Sequence, residues 1–380
     1  MIIDYLEKLS FLFEHISFIL LGCLGMGFLI GFHELGHFMF AKLFGIRVPS
    51  FSLGFGPVLF SKKIGQTEFC LSAIPFGGYV EIAGAGEVGQ GEQKEAHATD
   101  KGSFAVKPFY QKLCVMLGGI FFNLIFAYCA IILLFMTGIP KTPLMQRPFI
   151  ASIAQDSPAE KSALRIGDRI ISLNDHMVEN NIQKLAETLR PLALTQATIT
   201  IERDGQLLTK TIIIGSKQQD AATIGVIGVE FDNAPITPRS FFQAIKDGIT
   251  ATNNWIKLTA IGFTQLRRTY GEVAGPIMII AMTAKGAAAG FKIFLLLLSI
   301  ISINLAVLNL IPLPILDGGQ ILFYAIEAII GRPLPIKIRE YIHIATWLMF
   351  VALFIYLSTQ DISRILSPYI DPILKYLKIR

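Results

Sequence analysis

Long apolar runs with almost no charge dominate the pattern of residues along this chain. A helix needs about 20 residues to cross the roughly 30 Å apolar core of a bilayer. Three runs, 16–40, 113–138 and 294–316, are longer than this, and a fourth, 342–357, is somewhat shorter but contains no charged residue. We predict a transmembrane helix in each of the four. A fifth run, 321–330, is too short to cross, so we expect a re-entrant or surface helix there. The pattern therefore predicts a polytopic α-helical membrane protein with four transmembrane helices.

Other patterns lie between the predicted spans. Residues 48–60 and 68–80 are rich in Phe, Val and Gly and predict a membrane-associated β-hairpin or small sheet. Short alternating runs, 197–201 and 209–214, predict one small β-rich domain. A helical, amphipathic segment follows this domain. It is typical either of a helix on a membrane surface or of a globular helix packed on the domain.

These patterns divide the chain into successive segments. They are the N-terminus with the first span (1–40), a loop with the sheet (41–112), the second span (113–138), the β-rich domain (141–238), the amphipathic segment (239–290), the third span (291–317), a second loop (318–341), the fourth span (342–358) and a C-terminal tail (359–380). The two loops carry eight and three basic residues, against one in the N-terminal segment and four in the tail. Because Lys and Arg accumulate in cytoplasmic loops, we expect both loops to be cytoplasmic and the β-rich domain to be extracytoplasmic.

Composition supports a membrane protein and excludes several other classes. Of the 380 residues, 53% are hydrophobic and 16% are charged, against about 25% charged residues in an ordinary soluble domain. The chain lacks the residues for the charged surface of a soluble multi-domain enzyme, so we expect the lipid bilayer as its surroundings. The net charge of +5 is spread along the chain, and we expect no nucleic-acid partner. The four cysteines form no CxxC pair and imply no disulfide framework.

The first span contains the HExxH pattern, His33-Glu34-Leu35-Gly36-His37. Two imidazoles four residues apart share one helix face and can bind one zinc ion, with Glu34 beside them as a candidate base. The alternative is a buried polar network or a proton relay. Ionisable groups inside a lipid-spanning helix need a compensating partner, and a metal supplies one.

A catalytic zinc ion needs a third protein ligand and an open position for water. Asp317 is the best candidate, because it ends the predicted third span, which runs in the same direction through the bilayer as the first. An ordinary helix-terminal Asp is the alternative. Two asparagines of the third span, Asn304 and Asn309, either pack between helices or contact substrate, whereas Asn123 of the second span is expected to have a structural role. Prolines 312 and 314 predict a broken, solvated stretch beside the metal.

These motifs resemble those of the site-2 protease family of intramembrane zinc proteases, in particular the regulator-of-sigma-E type of bacteria. The resemblance is carried by HELGH in the first span, LDGG after the third and a domain between them, and also by 75–80 (PFGGYV), by Lys107-Pro108 with Gln111-Lys112, and by Gly275-Pro276-Ile277. It implies a multi-pass protein of the bacterial inner membrane that hydrolyses peptide bonds within the spans of single-span membrane proteins. Anti-sigma factors and remnant signal peptides are such substrates.

The resemblance also implies that the β-rich domain is a PDZ domain, since 157–160 (SPAE) and 163–170 (ALRIGDRI) are similar to PDZ sequences. One copy fits between the second and third spans, and it would act as a size filter or bind peptide termini.

From the residues we expect Zn²⁺ to be held by His33, His37 and Asp317, with Glu34 as the catalytic base. The substrate is expected to be held extended by Gly78 and Tyr79 at the sheet edge, and to be bound through its backbone by Asn304 and Asn309.

Two functions of other classes remain open for this sequence. One is a metal-ion transporter that uses the same polar residues as a transit site, and the other is a non-catalytic PDZ scaffold in the membrane. Transport favours polar residues along a whole path, whereas here they cluster at one depth. A scaffold has no need of Glu34 beside the two histidines.

Overall fold

The computed structural model describes residues 2–85, 95, 98–140, 142, 150–178, 182–203, 206–219, 222–231, 236–264, 273–332 and 334–376. The chain divides into two compact units, one formed by 1–136 together with 240–380 and the other by 137–239. The helices are α1 (Ile2–Leu43), α2 (Phe109–Thr137), α3 (Pro158–Lys161), α4 (Ile182–Leu189), α5 (Phe241–Thr264), α6 (Pro276–Ala288), α7 (Phe291–Asn309), α8 (Asp317–Ile330) and α9 (Ile336–Tyr376).

Helices dominate the first unit. Among the residues that the structure describes, four helices contain stretches long and apolar enough to cross a membrane, namely Ile16–Leu43, Phe109–Thr137, Phe291–Asn309 and Lys337–Arg364. These stretches overlap the four predicted spans. The apolar pattern therefore located each of these long apolar helices, although several helix ends differ from the predicted ones.

The largest difference concerns the third span, which was predicted to reach residue 317. The helix α7 ends at Asn309, and Asp317 is the first residue of the separate helix α8. Two prolines explain the break, because proline lacks the backbone N–H of a helical hydrogen bond and disfavours helix at the residue before it. The segment 318–341, predicted as a loop with a re-entrant or surface helix at 321–330, contains most of α8, so a helix is present where the short apolar run predicted one and begins four residues earlier.

Two glycines allow the chain between α7 and α8 to fold back onto the first turn of α8. A Cβ atom on Gly318 would lie 2.5 Å from the carbonyl oxygen of Leu310, and one on Gly319 would lie 2.1 Å from that of Leu313. Both distances are far below ordinary contact. Side chains are therefore excluded here, and this backbone packing fixes the position of Asp317.

The strands of the first unit are β1 (Ser50–Ile64) and β2 (Thr67–Glu81), joined by a tight turn at Gly65, which has a φ of 63°. They form more than a simple hairpin. Residues 50–53 pair with 78–81 on one side and with 68–71 on the other, while 60–64 pair with 67–71. The result is a compact sheet of four short segments in which 78–81 lies on the outside.

This sheet packs against the helix that carries the HExxH pattern. The Phe38 ring of α1 contacts those of Phe51 and Phe69, with ring centroids 5.5 and 5.6 Å apart. The far end of the sheet exposes large apolar side chains, among them Leu59 and Phe60. An apolar, exposed sheet end fits the membrane-associated sheet that the sequence predicted.

The second unit is β-rich. Its strands are β3 (Ile150–Ile153), β4 (Arg169–Leu173), β5 (His176–Met177), β6 (Gln196–Arg203), β7 (Gln206–Ile213), β8 (Gly215–Gln219), β9 (Ala222–Val226) and β10 (Val229–Phe231). Antiparallel strands in the order β5-β4-β6-β7 form the largest sheet, β3 pairs with β10 and β8 pairs with β9. Inward-facing residues such as Ile170, Ile199 and Ile201 form its core. The unit spans 137–239, against the predicted domain at 141–238.

A buried ion pair lies at one end of this core. Asp168 is 1% exposed and accepts hydrogen bonds from Arg203 Nε and Nη2, both at 2.7 Å, and from the backbone N–H of Arg165 at 2.8 Å. Burial by itself raises the pKa of a carboxyl group, but these donors outweigh it and hold the pKa of Asp168 below its usual range. Asp168 therefore stabilises the unit in its charged form.

Candidate metal centre

Three ligand-type side chains converge where α1 and α8 meet. His33 and His37, one helical turn apart on α1, are both buried, and their Nε2 atoms lie 3.1 Å apart. Asp317 approaches them from the first turn of α8, with Oδ2 3.3 Å from His33 Nε2 and Oδ1 3.5 Å from His37 Nε2. The structure thus brings together the three residues that the sequence predicted as metal ligands.

The spacing of these atoms fits a metal ion. Zinc bonds of about 2.0–2.1 Å in tetrahedral geometry separate neighbouring ligand atoms by about 3.3–3.4 Å, and the three separations here are 3.1, 3.3 and 3.5 Å. Asp317 Oδ2 is buried and finds no hydrogen-bond partner among the described residues. A buried carboxylate oxygen in that position needs a cation, and a metal ion shared with the two histidines would supply it.

The tautomer of His37 directs a lone pair into this cluster. Its Nδ1 lies 2.8 Å from the backbone carbonyl oxygen of Val115 in α2. A carbonyl can only accept, so Nδ1 carries the proton and Nε2 presents its lone pair toward Asp317. Metal-binding histidines commonly donate their second ring N–H in this way, which fixes the orientation of the ring.

Glycines let α2 approach the histidines closely. A Cβ atom on Gly36 would lie 2.1 Å from the carbonyl oxygen of Gly118, so the backbones of α1 and α2 touch at this crossing. A Cβ atom on Gly119 would lie 2.5 Å from both His37 Nε2 and His33 Cε1. Gly119 therefore leaves the space in front of the ligand nitrogens open. The sequence pattern predicted no role for Gly119.

The two asparagines of α7 occupy different places. Asn309 is buried, and its Nδ2 lies 3.5 Å from His33 Nε2, beside the cluster. Asn304 is exposed and accepts a 2.8 Å hydrogen bond from the Thr259 hydroxyl of α5, outside the cluster. Five residues of helix correspond to a rotation of about 500°, so the two side chains point about 140° apart. The structure therefore separates two residues that the sequence analysis had grouped.

Asn123 of α2 belongs to the site, although the sequence predicted a structural role for it. Its side chain is fully buried, and its Nδ2 lies 3.1 Å from His33 Nδ1. Gly119 and Asn123 are four residues apart and therefore share one face of α2, but this spacing alone does not show that the face meets α1.

The remaining predicted residues surround the cluster at various distances. Glu34 is half-buried and follows His33 directly in α1. Gly78 and Tyr79 lie in β2, paired with Leu53 and Ser52, and the Tyr79 ring stacks on that of Phe55 with centroids 6.5 Å apart. Both belong to the outer segment of the sheet and not to the group around His33.

Comparison with known proteins identifies similar chains. The family model described as peptidase family M50 matches residues 21–353. A protein of Campylobacter jejuni named as a candidate zinc metalloprotease is 33% identical over 361 residues, covering 90% of this chain and 92% of the relative. A second, from Clostridium perfringens, is 30% identical over 352 residues, covering 91% and 98%. The zinc metalloprotease RasP of Geobacillus kaustophilus is 26% identical over 423 residues, covering 92% and 97%.

One solved structure also matches in part. The PDZ domain of an SdrC-like protein from Listeria monocytogenes is similar to 22% of this chain and 84% of its own length, at 15% identity and a TM-score of 0.20. A score this low carries no argument about the fold.

Proposed function

Because this chain belongs to peptidase family M50, we propose that it is an intramembrane zinc metalloendopeptidase of the site-2 type. The convergence of His33, His37 and Asp317, with ligand atoms 3.1 to 3.5 Å apart, carries this proposal. Two of these residues lie within a helix stretch long and apolar enough to cross a membrane. The relatives named zinc metalloproteases support zinc as the metal.

The three residues would hold the zinc ion, which supplies a Lewis acid and lowers the pKa of bound water to about 7. Glu34 is the residue of this chain that moves the proton. As a carboxylate next to the ligands, it takes a proton from the attacking water and returns it to the leaving amine. The buried surroundings of the histidines strengthen these charge interactions, because the local dielectric is low.

The substrate in this proposal is the span of a single-span membrane protein, such as an anti-sigma factor or a remnant signal peptide. A helix hides its carbonyl groups in internal hydrogen bonds, so the span has to unwind before cleavage. The segment 78–81, with Gly78 and Tyr79, is an outer segment of the sheet and offers an edge for strand addition. Asn309 is placed to bind the freed backbone, whereas Asn304 would first have to release Thr259.

The location proposed for the protein is the bacterial inner membrane. The basic residues of the loops 41–112 and 318–341 favour a cytoplasmic position for both, and an extracytoplasmic position for the β-rich unit follows from it. We take this unit to be a PDZ-like domain that excludes substrates with large external parts.

Cleavage of a single-span reporter by the purified protein tests the proposal, with the reporter span carrying helix-breaking residues. Glu34→Gln is expected to abolish cleavage while zinc content stays at the level of the unmodified protein. Glu340→Gln, the same change at an exposed position of α9, is the control and should leave cleavage intact. If the unmodified protein binds zinc yet cuts none of several such reporters, the proposal fails and transport or scaffolding takes its place.

A further inference from the structure

Asn123 is a polar residue inside the apolar helix α2, and its position is tightly fixed. The residue is 0% exposed, and its backbone carbonyl accepts a 2.9 Å hydrogen bond from the Ser302 hydroxyl of α7. Its side-chain amide faces His33 Nδ1 at 3.1 Å. A buried amide in such surroundings costs free energy unless its hydrogen bonds are satisfied, so its partner matters.

The proposed metal ligation shows which nitrogen of His33 carries the proton. Nε2 is the ring nitrogen that faces the other two ligands, at 3.3 Å from Asp317 Oδ2 and 3.1 Å from His37 Nε2. A neutral imidazole has one N–H and one lone pair, and only the nitrogen with the lone pair can bind a metal. The proton of His33 therefore resides on Nδ1, and Nε2 has the lone pair for the metal.

This tautomer determines the orientation of the Asn123 amide. With Nδ2 toward His33, two N–H donors would face each other, and Asn123 Oδ1 would stay buried without a hydrogen-bond partner among the described residues. A half-turn of the amide exchanges two atoms of nearly equal size and removes both conflicts. Asn123 Oδ1 then accepts the Nδ1–H of His33.

We infer that Asn123 is a positioning residue for the metal, whose amide oxygen orients His33 by accepting its Nδ1–H. The same arrangement serves the other histidine, since His37 donates Nδ1–H to the Val115 carbonyl. Both acceptors belong to α2, so one helix sets the direction of both ligand lone pairs. Only one of the two acceptors is a side chain, and mutagenesis can therefore test it.

The experiment measures zinc affinity by competition with a chelator, using the full chain in detergent. This inference rests on the proposed zinc site, but its readout does not depend on cleavage. Asn123→Leu, of similar size but without an acceptor, should weaken zinc binding about 10- to 100-fold, the range found for such supporting residues. Asn123→Asp keeps the acceptor and should stay close to the unmodified affinity. Ser302→Ala, which removes only the hydrogen bond to the Asn123 backbone, is the control for helix packing.

The outcomes separate this inference from the proposed function. If Asn123→Leu binds zinc as tightly as the unmodified protein, or if the Leu and Asp variants are weakened equally, the inference is overturned and the zinc site stands. If the unmodified protein binds zinc no better than His33→Ala, the proposed function itself fails. If Asn123→Leu fails to fold, Asn123→Ala replaces it. The alanine variant also lacks the acceptor, and its zinc affinity is compared with that of Asn123→Asp in the same way.

Discussion

Replacing Gly119 by alanine is the smallest change that should disable the metal centre. The new Cβ atom would lie 2.5 Å from His37 Nε2 and from His33 Cε1, whereas ordinary contact begins at 3.4 Å. Each ring would have to move away by about 0.9 Å to relieve the overlap and reach an ordinary contact distance. Metal–ligand distances tolerate only about 0.2 Å. The required movement is several times larger than this tolerance.

Helix α2 cannot make room for the added methyl group by moving away from α1. The backbone of α2 is in contact with that of α1 at Gly118 and Gly36, so a shift would open a gap at the crossing. We therefore expect Gly119→Ala to weaken zinc binding at least about 100-fold, or about 2.8 kcal/mol, which is the upper end of what loss of a supporting residue costs.

Equilibrium competition with a fluorescent zinc chelator measures this loss directly. Gly262→Ala is the matched control, because a Cβ atom at that helical position meets nothing within 4 Å. It should bind zinc normally and be slightly more stable, since alanine favours helix over glycine by about 1 kcal/mol. If Gly119→Ala binds zinc within threefold of the unmodified protein, the close approach of α2 does not control the ligand positions, and the reasoning is refuted.

Two further predictions concern buried carboxylates outside the metal centre. Asp168→Asn should lower the free energy of unfolding of the β-rich unit by about 3–5 kcal/mol, the cost of breaking a buried ion pair. Unfolding monitored by protease resistance would detect this loss. Folding lowers the pKa of Asp168, so its contribution to the stability of the unit is complete above the pKa of about 3.9 that it has in the unfolded chain. This contribution disappears as the pH falls through the lower pKa of the folded unit. The Asn variant should therefore lose this sensitivity to acid. Asp361, 0% exposed in α9, accepts hydrogen bonds from the N–H groups of Gly275 at 3.0 Å and Met278 at 2.9 Å at the start of α6. Asp361→Asn should cost about 1–2 kcal/mol locally and speed hydrogen exchange of those two amides, and unchanged exchange would contradict this role.

Much of the fold and the three residues that cluster at the candidate site could be predicted from the sequence, because they depend on local rules. Apolar length identified the four long apolar helices, and the spacing of His33 and His37 placed both imidazoles on one face. Asp317 was identified from its place at the end of an apolar run, although the prolines turn that end into the start of a new helix.

The contributions of α2 and the form of the sheet could not be predicted, because they depend on how separate elements pack. Gly119 and Asn123 gain their roles from the closeness of α2 to α1, which no local pattern encodes. The pairing of residues 50–53 on both sides likewise requires each strand to bend, and alternation alone does not show a bend. The separation of Asn304 from Asn309 was within reach, since helical rotation alone places them on different faces.

The distance along the chain between the ligands has a consequence for biosynthesis. Asp317 follows His37 by 280 residues. At a translation rate of about 5–20 residues per second, roughly 15 to 60 seconds pass between the two. During that interval the nascent protein has two imidazoles and no carboxylate to complete the set. In the proposed protease, a nascent chain that has not yet reached Asp317 is thus unable to cut the newly inserted helices around it, and so is any fragment that stops before α8.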